Sequence, residues 1–293
     1  MPLKRFVDAK QGEIARLEAL QSQGLLPQGP SSPLAFQEPR GDFFKALQSN
    51  GSSAAEASQL AVIAEYKRAS PSRGLICDAV EVEDAVSQYA SNGAAALSIL
   101  TEERYFQGQL NYLERAHTTL CASQNCAPCL PLLRKDFIFN LLQVHETAMT
   151  PAAAILLIVR LTPNVAQLRE LRELAESYGM QAVVEIFSSD ELSVARESGA
   201  KIIQVNARDL QTLAVDFTAS ISLAQENQPF DHEVWIAASG VSKASHMIAA
   251  QQVGYDAVLV GSALMEHGQM GQSLHQLLQG FKEHIHGEKN HVL

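Results

Sequence analysis

The sequence lacks a long apolar run and an excess of basic residues, and these two absences exclude broad classes of protein. Its longest clean apolar stretch covers residues 152–159, far short of the ~20 residues that a membrane-spanning helix needs. The 32 acidic residues outnumber the 22 basic ones, for a formal net charge of −10. This balance argues against nucleic acid as a partner, because phosphate binding needs a basic face. The N-terminal residues show no apolar signal core, so we expect a cytoplasmic protein with no membrane partner.

Cysteine is scarce, and the histidines show no HExxH or comparable metal-ligand spacing. Among the 4 cysteines, Cys121, Cys126 and Cys129 follow a C-x4-C-x2-C spacing that is similar to part of an iron–sulfur cluster motif. Three interpretations stay open: reduced thiols near a helix end, a cluster or zinc site with Cys77 as a distant fourth ligand, or a regulatory disulfide between Cys126 and Cys129. We expect no metal.

The sequence also lacks a G-x-G-x-x-G turn after an early strand, which bears on the choice of fold. Eight continuous apolar runs are typical of parallel strands covered on both faces; they span residues 60–64, 95–100, 130–133, 153–159, 182–186, 201–205, 234–237 and 257–260. Amphipathic helical patterns follow them at residues 80–91, 110–120, 141–148, 165–178, 190–198, 217–225, 244–252 and 273–284. This alternation predicts an α/β protein with a (β/α)8 TIM barrel. The alternative, an open doubly wound sheet, would require the missing glycine-rich turn.

The segment before the first strand has a different character. Apolar residues recur at helical spacing over residues 6–20, a Gly-, Pro- and Ser-rich loop covers 24–33, and a short helix follows at 43–48. We therefore expect residues 1–50 to form a helical extension that packs on the barrel, and residues 51–293 to form the catalytic barrel, in a single domain overall. An extension folded over the barrel mouth is compatible with a monomer or a weak dimer.

Charged side chains cluster where the predicted strands end, which is where such barrels carry their active sites. Glu65 and Lys67 are two residues apart, so they face the same side of the first strand. Lys135, Glu185 and Asn206 lie at the ends of the third, fifth and sixth strands. A lysine flanked by carboxylates can donate a proton, and a carboxylate beside an apolar wall can have a raised pKa and act as a base. The alternative is a structural ion-pair network across the barrel mouth.

Further residues near the strand ends predict how a ligand is held. Small residues close the last two strands and let backbone N–H groups approach an oxyanion; they are Ser239, Gly240, Gly261 and Ser262. An apolar set is suited either to sandwich a flat aromatic ring or to pack helices on the barrel; it comprises Phe106, Phe137, Leu156 and Leu213. Ser70 adds a hydroxyl after the first strand, Ser98 lies in the second, and Arg208 is expected to brace a loop.

These residues lie in motifs that resemble the indole-3-glycerol phosphate synthase family of tryptophan biosynthesis. The similarity covers nearly the whole chain and includes IAEYKRASPSRG (63–74), ALSILTEERYFQG (96–108), LLRKDFIFN (132–140), VVEIFSSDEL (183–192), VNARDLQTL (205–213) and VLVGSALM (258–265). The resemblance implies a carboxy-lyase that converts 1-(2-carboxyphenylamino)-1-deoxyribulose 5-phosphate into indole-3-glycerol phosphate, CO2 and water. It implies no metal and no organic cofactor.

The resemblance also implies roles for the charged residues. Lys135 would be the general acid at the C2′ oxygen, and Glu185 its acid–base counterpart in the later dehydration. Glu65 would orient and tune the lysines, Lys67 would hold anionic groups or donate a proton itself, and Asn206 would position the reacting hydroxyl. The phosphate would be held by the small residues of the last two strand ends, with Ser70 helping at an anionic group.

Among several departures from the family's pattern, two lie at the expected site. Ala238 stands where the family usually has glutamate, and Gln204 stands where it usually has glycine. Two alternatives therefore stay open: a paralogue with an altered substrate in a specialised pathway, and a ligand-binding barrel that has lost turnover. The sister barrel phosphoribosylanthranilate isomerase uses a cysteine and aspartate pair, and here the first strand offers Glu65 and Lys67 instead.

Overall fold

A closed barrel of parallel strands forms the centre of the fold. The computed structural model describes residues 3–48, 60–123, 129–209, 212–266 and 268–289. The barrel strands are β1 (Ala61–Tyr66), β4 (Ala96–Leu100), β5 (Leu132–Ile138), β6 (Ala154–Ile158), β7 (Gln181–Ile186), β8 (Ile202–Asn206), β9 (Val234–Ala238) and β10 (Ala257–Val260). They follow one another around the barrel as β1-β10-β9-β8-β7-β6-β5-β4, and the (β/α)8 prediction is confirmed.

Helices alternate with these strands, as the sequence pattern predicts. They are α3 (Val82–Ser91), α5 (Tyr112–Ser123), α6 (Leu141–Ala148), α7 (Val165–Ser177), α8 (Ser189–Ser198), α9 (Phe217–Glu226), α10 (Ala244–Gln252) and α12 (Met270–Lys289). Four short elements escape sequence prediction: β2 (Ala69–Ser70) and β3 (Gly74–Leu75) form a small hairpin after β1, while α4 (Glu103–Phe106) and α11 (Ser262–Met265) follow β4 and β10. Within the described ranges, no helix has both the length and the apolar character needed to cross a membrane.

Two apolar layers explain why the strands read as continuous hydrophobic runs. One layer lies between the strands and the surrounding helices, with Trp235 fully buried in it. The other fills the barrel interior and includes Ile63, Leu133, Val183 and Ile236. Because each strand is covered on both faces, both of its alternating sets of side chains are apolar along most of its length.

The N-terminal helix α1 (Lys4–Ser22) is attached to the barrel by buried charges. Lys10 Nζ lies 2.7 Å from Asp136 Oδ1 and 2.7 Å from Glu13 Oε2, and Arg134 lies 3.2 Å from Asp136. Burial alone would lower the Lys10 pKa, but Asp136 and Glu13 outweigh it and hold that pKa above its usual value. Phe6 adds an apolar contact by stacking on Phe137 at 4.2 Å between ring centroids.

This attachment explains where the sequence-based boundary of one strand is wrong. The third barrel strand is predicted at residues 130–133, but β5 covers Leu132–Ile138. Arg134 and Asp136 broke the apolar pattern, although both are buried. Their charges are compensated by α1 and by Glu146 of α6, so the strand continues through them. Lys135 is therefore part of the strand.

A second N-terminal helix, α2 (Phe43–Leu47), lies at the other end of the barrel. Phe43 and Leu47 are fully buried, and the Phe44 backbone N–H donates to the side-chain oxygen of Gln181, the first residue of β7, at 2.8 Å. Before α2, the Arg40 guanidinium donates to the Ala148 carbonyl at the end of α6 at 2.7 Å. Burial lowers the Arg40 pKa to about 10.

Candidate active site

A cavity of about 380 Å³ opens at the C-terminal ends of the barrel strands. This is the end at which the loops of such barrels assemble a site. Polar and charged residues from seven strands and their loops line it: Glu65, Lys67, Arg73, Glu102, Lys135, Asp136, Glu185, Gln204, Asn206, Arg208, Ser239, Ser242 and Ser262. The structure therefore brings together the charged residues that the sequence singled out at separate strand ends.

Glu65 and Lys67 form a close ion pair on β1. Lys67 Nζ lies 2.6 Å from Glu65 Oε1, and the Ser98 hydroxyl of β4 donates to Glu65 Oε2 at 3.2 Å. Burial would raise the Glu65 pKa, but the ammonium groups of Lys67 and Lys135 outweigh it and hold that pKa below its usual value. This lowered pKa favours the ionised carboxylate, which suits Glu65 to holding the ammonium groups rather than to acting as a base.

Gly261, just after β10, makes room for this pair. A Cβ at this position would lie 2.4 Å from Glu65 Oε1 and 3.0 Å from Lys67 Nζ. This close approach explains the need for glycine at position 261 without any ligand. The same glycine also lines the cavity.

Lys135 and Glu185 form a looser second pair, contributed by β5 and β7. Lys135 Nζ lies 3.7 Å from Glu185 Oε2, and the side-chain amide of Gln204 on β8 donates to the same oxygen. Glu185 is almost fully buried, with 2% of its side chain exposed against 19% for Lys135. Since Lys135 also acts electrostatically on Glu65, the two pairs form one alternating set of charges around the cavity.

Asn206 and Arg208 lie at the end of β8 and both line the cavity. The Asn206 side-chain oxygen accepts a hydrogen bond from the Arg208 backbone N–H at 2.9 Å. The Arg208 guanidinium donates to the Leu213 carbonyl at 2.9 Å and to the Ser72 hydroxyl at 3.1 Å. Burial lowers the Arg208 pKa despite the nearby Glu65 charge. Arg208 thereby contacts the loops that follow β1 and β8, and its role in bracing the second of these loops stays a prediction.

An apolar wall borders the charged set. Phe106, Phe137 and Leu156 line the cavity as expected, with 6.2 Å between the two phenylalanine ring centroids. Further apolar residues line the same cavity: Leu100, Ile158, Val215, Ala238, Val241 and Leu259. These apolar residues share the cavity with the charged groups, so the cavity suits a ligand that has both an apolar part and a charged part.

Small residues at the ends of β9 and β10 contribute backbone to the cavity. Ser239, Gly240, Gly261 and Ser262 all line it. Ser239 and Gly240 have φ values of 66° and 84°, and a Cβ at Gly240 would come within 2.9 Å of Val215. Glycine is therefore required at 240 for both conformation and space.

Some predicted residues lie outside the cavity, and others were missed. Ser70 and Leu213 are described but are not among the residues that line it; the Ser70 hydroxyl accepts a hydrogen bond from the Arg73 backbone N–H at 3.2 Å instead. Glu102, given no role from sequence, lines the cavity while accepting N–H bonds at the start of α4. Burial raises its pKa in spite of those bonds. Its place just after the second predicted strand was the signal in the sequence.

The cysteines are arranged differently from all three interpretations. Cys121 at the end of α5 forms a disulfide with Cys129. Neither residue is therefore a free thiol or a metal ligand. Cys129 is also not available for a disulfide with Cys126. Cys126 lies outside the described residues. Cys77 is a free thiol, and none of the described cysteines lines the cavity.

Comparison with known proteins points to one family. The family model "Indole-3-glycerol phosphate synthase" matches residues 3–277. A curated protein of that name from Dehalococcoides mccartyi (strain CBDB1) is 40% identical over 221 residues, which cover 75% of this chain and 82% of the relative. Another of the same name from Chloroherpeton thalassium is 38% identical over 264 residues, which cover 90% and 94% of the two chains.

Solved structures share the barrel at low sequence identity. A chain from the tryptophan synthase a2b2 complex of Pyrococcus furiosus aligns with a TM-score of 0.54 and 14% identity, covering 76% of this chain and 98% of its own length. The 3-hexulose-6-phosphate synthase from Salmonella typhimurium aligns with a TM-score of 0.57 and 13% identity, covering 77% and 100%. At such identities these likenesses support the fold alone.

Proposed function

The chain belongs to the indole-3-glycerol phosphate synthase family, and we propose that Lys135, Glu185 and the Glu65–Lys67 pair carry out its chemistry. Its activity is that of a carboxy-lyase in tryptophan biosynthesis. The reaction closes a pyrrole ring on 1-(2-carboxyphenylamino)-1-deoxyribulose 5-phosphate and releases CO2 and water. One observation carries the assignment of residues: two ammonium–carboxylate pairs converge beside an apolar wall in one cavity.

Lys135 acts first, as the general acid of ring closure. The aromatic carbon that bears the carboxylate attacks the C2′ ketone, and the carbonyl oxygen takes a proton from the Lys135 ammonium. Cleavage of the bond to the carboxylate then releases CO2, and its electron pair restores the aromatic ring. The ammonium is suited to this step because it lies at the barrel mouth, 19% exposed, where solvent can return the proton once per turnover.

Glu185 acts in the dehydration that follows. Its carboxylate removes a proton from C1′, and the C2′ hydroxyl leaves as water after taking up either that proton or one from Lys135. The C1′–C2′ double bond therefore forms with no net change in protons. The 3.7 Å separation of Lys135 Nζ and Glu185 Oε2 lets one substrate carbon pair lie against both groups. Glu65 holds the two ammonium groups in place and balances their charge.

The remaining residues bind and orient the substrate. Lys67 holds the carboxylate of the substrate, Asn206 positions the reacting hydroxyl, and the wall of Phe106, Phe137 and Leu156 covers the aromatic ring. Backbone N–H groups of the small residues after β9 and β10 hold the phosphate; those residues are Ser239, Gly240, Gly261 and Ser262. Arg208 and Arg73 add positive charge near this end of the cavity.

The cellular setting is part of the proposal. A substrate that is a soluble sugar phosphate places the enzyme in the cytoplasm, and the attachment of α1 to its own barrel favours a monomer or a weak dimer. Size-exclusion chromatography with light scattering measures the latter directly. A stable dimer at micromolar concentration would contradict it.

Steady-state turnover tests the assignment of Lys135. Lys135→Ala should lower kcat by about 10²-fold or more, as expected for a lost general acid, while Lys201→Ala, an exposed lysine next to the opposite end of β8, should not change it. The assay follows indole fluorescence as the carboxyphenylamino deoxyribulose phosphate is consumed. A Lys135→Ala variant with a normal kcat would remove this residue from the mechanism.

The alternative of a barrel that has lost turnover is not favoured. Both ammonium–carboxylate pairs are in place, and the curated relatives that align with 75% and 90% of this chain bear the name of the enzyme. Ala238 removes one carboxylate from the cavity wall but leaves these pairs intact.

A further inference from the structure

Gln204 is the most unusual polar residue of the cavity. Its side chain is fully buried and lines the cavity, and its amide nitrogen donates to Glu185 Oε2. Its carbonyl oxygen Oε1 has no hydrogen-bond partner among the described residues. The orientation of the amide follows from chemistry, because only the NH2 end can donate to an ionised carboxylate.

An unpartnered buried acceptor calls for an explanation. Leaving a buried carbonyl without a hydrogen bond is unfavourable by more than a typical hydrogen bond stabilises, and such groups in folded proteins are uncommon. The amide group cannot rotate to give its oxygen a partner without breaking the hydrogen bond from its nitrogen to Glu185. A ligand that brings an N–H or O–H donor into the cavity would supply the missing partner.

The space beside Gln204 is open because of Ala238. Gln204 and Ala238 lie on the neighbouring strands β8 and β9, where Asn206 pairs with Ala238 and Gln204 with Ile236. Both residues face the cavity, at the diagonal spacing at which long side chains on adjacent strands reach one another. Gln204 and Ala238, the two departures from the family's pattern at this site, are thus neighbours. The long polar side chain of Gln204 lies beside the short apolar side chain of Ala238.

We propose that Gln204 is a substrate-binding residue whose free carbonyl oxygen accepts a hydrogen bond from the bound substrate while its amide nitrogen holds Glu185. The proposal rests on the proposed function. The donor is the aryl amine N–H, which is bonded to C1′, the carbon from which Glu185 removes a proton. One amide side chain therefore fixes the base, Glu185, and the reacting carbon, C1′, relative to each other. It does so beside position 238, where this chain has alanine instead of a carboxylate.

Binding measurements on Gln204→Met test this proposal. Methionine has about the same length but neither a donor nor an acceptor of comparable strength. We expect the affinity for indole-3-glycerol phosphate, which keeps this N–H, to fall roughly 3- to 10-fold, the size of one neutral hydrogen bond. The affinity for inorganic phosphate, which lacks the N–H, should not change. The matched control is Gln167→Met, an exposed glutamine on α7; isothermal titration calorimetry measures both ligands.

Three outcomes separate the possibilities. Selective loss of indole-3-glycerol phosphate affinity supports the proposal. Unchanged affinity for both ligands, or equal loss for both as a purely structural role predicts, overturns it. A wild-type protein that binds indole-3-glycerol phosphate but shows no turnover refutes the proposed function and still leaves the comparison intact. If the methionine variant does not fold, Gln204→Leu, which places a strand-compatible apolar side chain there, gives the same readout.

Discussion

Replacing Gly261 with alanine tests whether the geometry of the Glu65–Lys67 pair requires a residue without a side chain at position 261. The new Cβ would lie 2.4 Å from Glu65 Oε1, whereas real Cβ atoms essentially never come closer than 3.0 Å. The carboxylate must therefore retreat by about 0.6 Å, the difference between these two distances. It has little room, because Lys67 holds it at 2.6 Å and Ser98 at 3.2 Å.

The expected effect is on catalysis rather than on folding. The three nearest atoms that the new Cβ would meet belong to the side chains of Glu65 and Lys67, so the clash falls on the cavity and not on the barrel backbone. A displacement approaching 1 Å in an active site costs up to about 10²-fold in rate, and we expect kcat to fall roughly 10- to 100-fold. The circular dichroism spectrum and the urea midpoint should stay close to those of the wild type.

Two controls make the result interpretable. Gly12→Ala in α1 adds a methyl group where no described atom lies within 4 Å, and should leave kcat unchanged. Glu65→Asp shortens the carboxylate, so combining it with Gly261→Ala should cost less than the two single changes added together. A normal kcat for Gly261→Ala, or a rise in KM alone, would refute the steric reasoning and leave Gly261 with a phosphate-binding role only.

Three further predictions follow from the same contacts. Lys10→Met leaves the buried Asp136 with one cation fewer and should lower the free energy of unfolding by about 3 kcal/mol or more; urea denaturation giving under about 1 kcal/mol would contradict this. Burial would raise the Asp136 pKa, but Lys10 and Arg134 hold it below its usual value. The stabilisation by the Asp136 carboxylate is therefore present above the unfolded pKa of about 3.9 and is lost as the pH falls through the lower folded pKa. Asp136→Asn should make the free energy of unfolding less dependent on pH in acid. An unchanged pH dependence in urea denaturation between about pH 2 and 5, a range set by these values, would count against it. Phe106→Ala removes part of the apolar wall and should raise KM roughly 10-fold, by lost apolar burial of the aromatic ring, and an unchanged KM would place the ring elsewhere.

The sequence allowed the fold to be predicted because the barrel repeats a local signal. Each strand is apolar on both faces and each helix is amphipathic, so the alternation is visible without any long-range information. The prediction failed where the local signal was broken by compensated charges. Arg134 and Asp136 look like the end of a strand, and only the partners on α1 and α6 reveal that β5 continues.

The candidate site was partly accessible for the same reason. Residues at strand ends share one rim once a barrel is assumed, and this brought Glu65, Lys135, Glu185 and Asn206 into one set. Leu213 was placed wrongly as a wall residue because its position depends on a loop, in which it takes a φ of 61°, and not on a strand. Val215, two residues later, lines the cavity instead.

The amino-acid order by itself determined the parallel barrel, the end of it that carries charge, and the family to which the motifs are similar, since all three depend on patterns within short stretches. Only the tertiary structure decided that the pKa of Glu65 is lowered, that Cys121 pairs with Cys129, and that Gln204 holds Glu185 with one end of its amide while the other end lacks a described partner. These three properties depend on distances of a few ångströms between residues far apart in the chain. Electrostatic attraction, disulfide formation and hydrogen bonding all act at that range, and sequence spacing does not encode it.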